Sequence, residues 1–438
     1  VRVLIVTFPW KTHLFNMVPL AWSLRTAGHE VRVASEPDLL DVITGTGLTA
    51  VSVGSGEALP ERIRRAWREG TLPPIEDAPP LGEPAPLFDI SPDREPLSWQ
   101  QVKRIYDTLV VPRARLFNDA MMDDLVDVCR EWKPDLVLWN AVTYAGAIAA
   151  TAVGAVHARL LYSVDVYTRM REDYLYRMAQ QPEPDRTDGL KDWVSGHAER
   201  HGVEFSEDLI NGHFTIDPLP EPFRLEHRLT SLPMQFVPHN GKAVVPRWIE
   251  EKPKAPRVLM TFGVSANDWP ELFVFGVEQM QAILDAVADL EMELVVTLPK
   301  DFQAQLQRVP DNTRLEEFVP LSAIMPTCSA VLHHGGAGSF GTAMRYGVPQ
   351  MMISQALDAP LKFKYIDKSG IGVWLKPEDA DAAGVRAGLV KLLRDDSYRK
   401  NAERLGQEVM SMPSPNELVH TIENLVADHR AGAVPATR

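Results

Sequence analysis

Two histidines, His333 and His334, run directly into Gly335, Gly336 and Gly338, and helical apolar spacing begins at Ser339. Glycines let the backbone come close to a ligand, and a helix start offers unpaired N–H groups at the positive end of its dipole. That combination suits an anion of the phosphate type, with His334 able to donate to one of its oxygens. After the next strand come Asp358 and Ala359, and the carboxylate there can accept from hydroxyls. The order suits a phosphate followed by a polar sugar. A glycine-rich turn alone is ordinary loop chemistry, so the histidine and the acid at this spacing carry the reading.

A second histidine stands near the start of the chain. The strand-like run "VRVLIVTF" gives way to a short loop, and His13 follows at the start of a helix. A helix N-terminus disfavours imidazolium, so His13 should stay neutral and able to accept a proton near pH 7. The bland alternative is a surface or capping histidine. A place beyond the carboxyl end of the first strand favours the ligand crevice of an open α/β sheet instead. In the second half, "TFGVSAND" (261–268) is another loop after a strand, where Gly263 allows a tight turn and Ser265 supplies a hydroxyl beside phosphate.

Competing motifs fail. "HAERH" puts His197 and His201 four apart, but its glutamate is misplaced for a zinc protease and an exposed helix face explains it better. "DAD" (379–381) sits at a helix start, where acids suit the dipole. There is no Gly-Lys-Ser/Thr phosphate loop, no Gly-x-Ser-x-Gly elbow, and no Gly-x-Gly-x-x-Gly turn after the first strand. A nucleotide therefore belongs in the second half. Cys129 and Cys328 lie far apart, so neither a disulfide framework nor a zinc site is indicated.

These residues need a scaffold, and the sequence supplies strands alternating with helices. Strand-like runs at 1–8, 30–35, 50–54, 135–139 and 157–163 alternate with helical spacing, and 165–212 reads as helical. The proline-rich stretch from about 55 to 100 reads as irregular, a functional loop or a disordered one. The rhythm restarts at 258–263 and continues through 293–299, 330–335, 349–354 and 372–375, with helices closing the chain. At 438 residues two domains are expected: 1–238, a linker at 239–257, and 258–438, the last helices able to pack back on the first domain. The fold class is α/β, with parallel sheets covered on both faces and a cleft between the halves.

A formal charge of −14 argues against nucleic acid or an anionic membrane surface as partner, though not against a nucleotide held by backbone N–H groups. The chain opens on a buried-type strand, with no leader ahead of it and no apolar run of the ~18–20 residues a membrane span needs. A soluble, cytoplasmic protein is expected.

Four blocks carry a family resemblance: "THLFNMVPLAWSLRTAGHEVRVAS", "WKPDLVLWNAVTYAGAIAA", "YSVDVYTR" and "FVPLSAIMPTCSAVLHHGGAGSFGTAMRYGVPQ". The chain resembles the GT-B glycosyltransferases of antibiotic biosynthesis, two Rossmann-like domains facing across a cleft. It is most similar to the macrolide desosaminyl and mycaminosyl transferases and the anthracycline glycosyltransferases. The resemblance implies inverting, metal-free transfer of a deoxysugar from a dTDP-sugar, the donor substrate, to a hydroxyl of a polyketide aglycone, with no cofactor. It makes His13 the base, with Asn140 where relatives often carry an acid. Gly263, Ser265, Val319, His334, Gly335, Gly336, Gly338, Ser339, Asp358 and Ala359 become the donor site, Val319 through its backbone toward the base. Tyr162, Asp165 and Tyr167, together with the 55–100 loop, become candidates for the acceptor site. Ala359 stands where users of fully hydroxylated sugars usually carry glutamine, which fits a donor with fewer hydroxyls. The resemblance admits a haem-less cytochrome-like auxiliary protein on the first domain, and a homodimer, without requiring either. Two rival readings remain: a sugar-nucleotide epimerase of the same fold, and a non-catalytic sugar-nucleotide-binding subunit.

Overall fold

Short runs of Val, Ile and Leu, apolar on both faces, build two all-parallel sheets. The computed structural model describes residues 1–54, 56–72, 97–264, 275–354, 358–376 and 379–431. In the first sheet the order is β3-β2-β1-β4-β5-β6-β7. Its strands are β1 (Arg2–Val6), β2 (Glu30–Ser35), β3 (Thr49–Ser52), β4 (Leu136–Asn140), β5 (Val156–Leu160), β6 (Phe214–Asp217) and β7 (Ser231–Pro233). In the second the order is β10-β9-β8-β11-β12-β13, from β8 (Arg257–Thr261), β9 (Glu293–Thr297), β10 (Thr313–Glu316), β11 (Ala330–His333), β12 (Gln350–Ile353) and β13 (Gly372–Leu375).

Each order reverses once, and that reversal decides where ligands go. In the first sheet β1 pairs with β2 on one side and β4 on the other, Ile5 facing Val33 and Leu138. In the second, β8 pairs with β9 and β11, Leu259 facing Val295 and Val331. Crossover helices leave such a strand pair on opposite faces, so a crevice opens beyond their carboxyl ends.

The halves are tied by more than the linker. The last helix, Pro415–Arg430, begins with a capping box from Ser414 and Glu417. Its Leu418, Val419, Ile422 and Val426 share one stripe and pack into the core of the first sheet. There they meet Leu14, Met17, Val18 and Ala21 of the helix Lys11–Thr26. Polar ties flank the seam: Arg430 pairs with Asp135, and His29 Nε2 lies 3.0 Å from Glu423. Gln235, just after β7, donates to the Met410 carbonyl and accepts from Arg345 at 2.8 Å.

Sequence periodicity misses several elements. The stretch 55–100 does not begin as irregular chain: Leu59–Arg68 is helical, with Pro60 in its first turn. Arg62 binds Glu36 there through two hydrogen bonds of 2.6 and 2.8 Å. A buried ion pair, invisible to apolar spacing, holds that helix. The proline-rich part, 73–96, lies outside the described residues. β6, β7 and β10 are only three or four residues long and gave no periodic signal. The segment 165–212 is not one helical run but two helices, Val166–Ala179 and Gly189–Arg200, with a short one at Asp208–Asn211. Among the described residues no helix is long and apolar enough to cross a membrane.

Ile422→Ala should cost about 2–5 kcal/mol, the usual range for such a truncation in a core, by opening the seam between the last helix and the first. Urea denaturation followed by circular dichroism measures it, and an unchanged midpoint would contradict this packing.

Candidate active site

The first crevice opens between the carboxyl ends of β1 and β4. The chain leaves β1 through Thr7 to Trp10 and enters the helix Lys11–Thr26, whose third residue is His13. No side chain caps that helix start. β4 ends on Asn140, and the turn after it closes with the Thr143 N–H on the Asn140 carbonyl at 2.7 Å. Asn118 fixes the turn from a neighbouring helix: its amide donates to the Val142 carbonyl at 3.0 Å and accepts from the Ala145 N–H at 3.0 Å. These bonds fix the backbone of Asn140, and its amide stands beside His13.

The His13 ring sits between aromatics, 4.7 Å edge-on from Phe8 and 4.1 Å from Tyr162, centroid to centroid. Burial lowers its pKa from 6.5 to about 4, while the nearby Asn140 amide pulls it upward. Strict hydrogen-bond geometry is not met, since His13 Nδ1 and both Asn140 amide atoms are buried without partners among the described residues. Nδ1 faces the protein, and Nε2 is the nitrogen left to the cleft. A small rotation of Asn140 would let its carbonyl take an Nδ1 proton, leaving Nε2 free to accept one.

Tyr162 and Tyr167 share a hydroxyl–hydroxyl hydrogen bond of 2.9 Å, and burial holds both phenols above their ordinary pKa, hence protonated. Asp165 is engaged internally. Its carboxylate takes Arg159 at 3.2 and 2.7 Å and caps the helix Val166–Ala179 through the Thr168 N–H and hydroxyl. It fixes the start of the helix that carries Tyr167, next to the loop that carries Tyr162.

The second crevice opens between β8 and β11. Gly263 follows β8 with φ of 74°, and a Cβ there would lie 2.6 Å from the His334 ring. Gly336 meets the same ring from the other side, where a Cβ would stand 2.4 Å from Nε2. Two absent side chains thus make the slot for His334. Burial first, then the charge of Lys362, lower its pKa to about 4, against the pull of the Thr261 carbonyl. His333 is structural: Nδ1 accepts from the Gly335 N–H at 3.0 Å, so the proton lies on Nε2, 2.8 Å from Gln350 Oε1.

Gly336 precedes the helix Ala337–Arg345, which no side chain caps. Its first N–H groups, at Ala337, Gly338 and Ser339, have no partner within the helix and suit an anion. Gly338 is exposed there and Ser339 buried. Gly335 has φ of 80°; its N–H is spent on His333 and its carbonyl accepts from Lys362 Nζ at 2.9 Å, so it makes the turn. Asp358 starts the helix Ala359–Ser369, and its Oδ2 lies 2.8 Å from Lys362 Nζ. Ala359 is buried behind it, and Val319 is buried after β10. Ser265 lies outside the described residues. Sequence reasoning missed Lys362; its one signal was a lysine four residues after Asp358, a helical ion-pair spacing.

The two crevices share one cleft. The Asp358 charge raises the pKa of both Tyr162 and Tyr167, and Tyr162 lies against His13. The helices that carry His13 and the glycine cradle touch, and Phe340 meets Phe223 of the first half at 5.3 Å. Elsewhere, His197 and His201 pair with Asp119 and Asp123 at 3.0 Å each, and Asp381 caps the helix Ala382–Arg394. Among the described residues no cluster of three His, Cys, Asp or Glu could hold a metal ion.

Two parallel-sheet, Rossmann-like domains facing across a cleft are the architecture of the GT-B glycosyltransferases. Comparison with known proteins gives the family. The erythromycin biosynthesis protein CIII-like C-terminal domain matches residues 281–425, and the N-terminal domain of the same description matches 22–75 and 91–263. The 10-deoxymethynolide desosaminyltransferase of Streptomyces venezuelae is 43% identical over 98% of both chains. The tylactone mycaminosyltransferase of Streptomyces fradiae is 41% identical, over 98% of this chain and 94% of its own. The glycosyltransferase VinC, solved in complex with dTDP, is 35% identical with a TM-score of 0.83, over 98% of this chain and all of its own. The chain belongs to the erythromycin biosynthesis protein CIII-like family of glycosyltransferases.

Two outcomes follow from this geometry. Gly336→Ala should displace the His334 ring and weaken dTDP binding at least tenfold, of the order expected for a lost charge-assisted hydrogen bond; calorimetry reads it, and unchanged affinity would contradict the slot. Stability should also fall in acid. His13, His213 and His334 have pKa values lowered from 6.5 to about 4, and His333 to about 3. The unfolded chain then binds more protons between these limits, so stability is full above about pH 6.5 and declines as pH drops toward 4. Urea midpoints across that range check the sign.

Proposed function

We propose that this enzyme moves a deoxysugar from a dTDP-sugar to a hydroxyl of a polyketide aglycone, with inversion and without a metal. The observation that carries the reading is His13, neutral and half-buried, on the lip opposite the glycine-lined helix start. Residues 1–238 form the acceptor domain, 239–257 the linker and 258–438 the donor domain, all within a cytoplasmic enzyme.

The donor diphosphate sits on the N–H groups at the start of the helix Ala337–Arg345, with His334 and the Ser339 hydroxyl beside it and the Gly263–Ser265 loop opposite. The positive helix end and His334 take the place of a cation, so loss of the diphosphate is stabilised without one. Val319 faces the base through its backbone, and Asp358 Oδ1 accepts from sugar hydroxyls while Lys362 holds Oδ2. Tyr162 and Tyr167 line the acceptor side. His13 Nε2 takes the acceptor proton as that oxygen bonds to the anomeric carbon and the bond to the diphosphate breaks. Asn140 orients the ring. No step calls for an auxiliary protein or a second subunit. The named relatives are sugar transferases, which supports transfer over epimerisation or a non-catalytic role.

The small Ala359 supports a sugar with fewer hydroxyls, because a site built to hydrogen-bond a missing hydroxyl would leave a polar group unpaired at about 1–3 kcal/mol. His13→Ala should lower turnover by about 10²–10⁴-fold with dTDP affinity unchanged, measured by product mass spectrometry and calorimetry. Activity should be equal with EDTA present, and kcat/KM should favour a dTDP-deoxysugar over UDP-glucose. A strong preference for glucose would end the donor assignment.

A further inference from the structure

The helix Val111–Asn118 turns one face to the His13 crevice. Phe117 on that face stacks on Phe8 at 4.5 Å, and Phe8 meets His13 edge-on. Residues four apart lie one above the other on a helix, so Arg113 stands one turn away on the same face. Its guanidinium is partly buried and acts electrostatically on Tyr162 and Tyr167, the pair beside His13.

The fully buried arginines are all matched to carboxylates: Arg62 to Glu36, Arg159 to Asp165, Arg171 to Asp188 and Arg257 to Glu293. Arg113 has no ion pair and no hydrogen bond among the described residues. A half-buried guanidinium beside the crevice, claimed by no carboxylate, keeps its donors for a ligand. Guanidinium only donates, so the ligand atom must be an oxygen that accepts. Polyketide chemistry leaves oxygens on alternate carbons, which sets a carbonyl two carbons from a hydroxyl.

We propose that Arg113 recognises the acceptor, donating to a carbonyl oxygen of the aglycone next to the hydroxyl that His13 deprotonates. This rests on the transferase reading above. Arg113 then determines which aglycone is accepted and which of its hydroxyls is presented, while the donor is held across the cleft.

The test pairs Arg113→Met and Arg113→Lys with two aglycones, a β-hydroxy ketone and the same compound with the ketone replaced by methylene. For the ketone, Arg113→Met should raise the acceptor KM tenfold to about a hundredfold, as for a lost bond to a charged group, with the donor KM unchanged. For the methylene analogue, wild type and variant should agree within about threefold. Arg113→Lys keeps the charge but not the fork and should fall between. The thermal midpoint of Arg113→Met should match wild type, because no ion pair or hydrogen bond of the described residues is lost. Equal losses on both aglycones with a lower midpoint would make Arg113 structural, and a raised donor KM would place it on the diphosphate. Either result overturns the proposal. Aglycone binding followed by tryptophan fluorescence reads Arg113 without turnover. A wild type that binds the ketone better than the analogue yet transfers no sugar would fail the function and spare the subsite.

Discussion

The donor half is arranged around one buried ammonium. Lys362 is almost wholly withdrawn from solvent, and its Nζ reaches the Asp358 carboxylate and the Gly335 carbonyl. It also lies 5.1 Å from the Phe340 ring centroid, and Phe340 packs on Phe223 from the other half. Removing one partner of such a buried pair typically costs about 3–5 kcal/mol, so these positions are not independent. The lysine joins the Gly335 turn to the helix Ala359–Ser369 and, through Phe340, lies next to the contact between the halves. Asp358 is thereby held through Oδ2 at the start of the helix Ala359–Ser369.

The same ammonium bears on the chemistry. Lys362 helps burial keep His334 neutral, so His334 can act as a hydrogen-bond donor without a fixed charge. His13 reaches the same neutral state by burial between Phe8 and Tyr162. Each imidazole stands at or just before an uncapped helix start, and the macrodipole adds to the bias against a proton. Both crevices thus share one arrangement, a neutral ring next to a positive helix end, which on the proposed reading serves opposite ends: one to hold an anion and the other to receive a proton. The reversed strand order puts each ring at its sheet's crevice, and the packed C-terminal helix joins the two domains.

What was legible in the sequence was what local chemistry determines. β1 and β8 announce themselves as unbroken apolar runs, and His13, Asn140, Gly263 and His334 follow at their ends or those of their partners. The two Rossmann-like halves, and the strand ends at which these residues stand, could be read this way. Contacts set by tertiary placement could not. The pairing of Asp165 with Arg159 had no local signal, because it is set by the end of β5 meeting the helix start that Asp165 caps. Lys362 looked like a surface lysine because nothing local shows that its helix buries it. The helix Leu59–Arg68 was hidden by its own charge, since Arg62 is stabilised by Glu36 rather than by apolar contact. The close fit of Gly336 against the His334 ring is likewise a tertiary contact that no local pattern shows.

One consequence of Asn140 concerns the strength of the base. A carboxylate at this position would neutralise imidazolium and raise His13; an amide can orient the ring but supplies no net charge. With a pKa of about 4 before substrate arrives, His13 is a poor base. The donor can supply the missing charge. Two negative charges roughly 10 Å away, at an effective dielectric near 20, contribute about 3 kcal/mol, or roughly two pKa units, to the protonated ring. A diphosphate on the helix Ala337–Arg345 would therefore strengthen the base across the cleft, and departure of the sugar acceptor's proton would be favoured only once the donor is seated. On the proposed reading, an amide at 140 in place of a carboxylate would make the strength of His13 as a base depend on the bound donor.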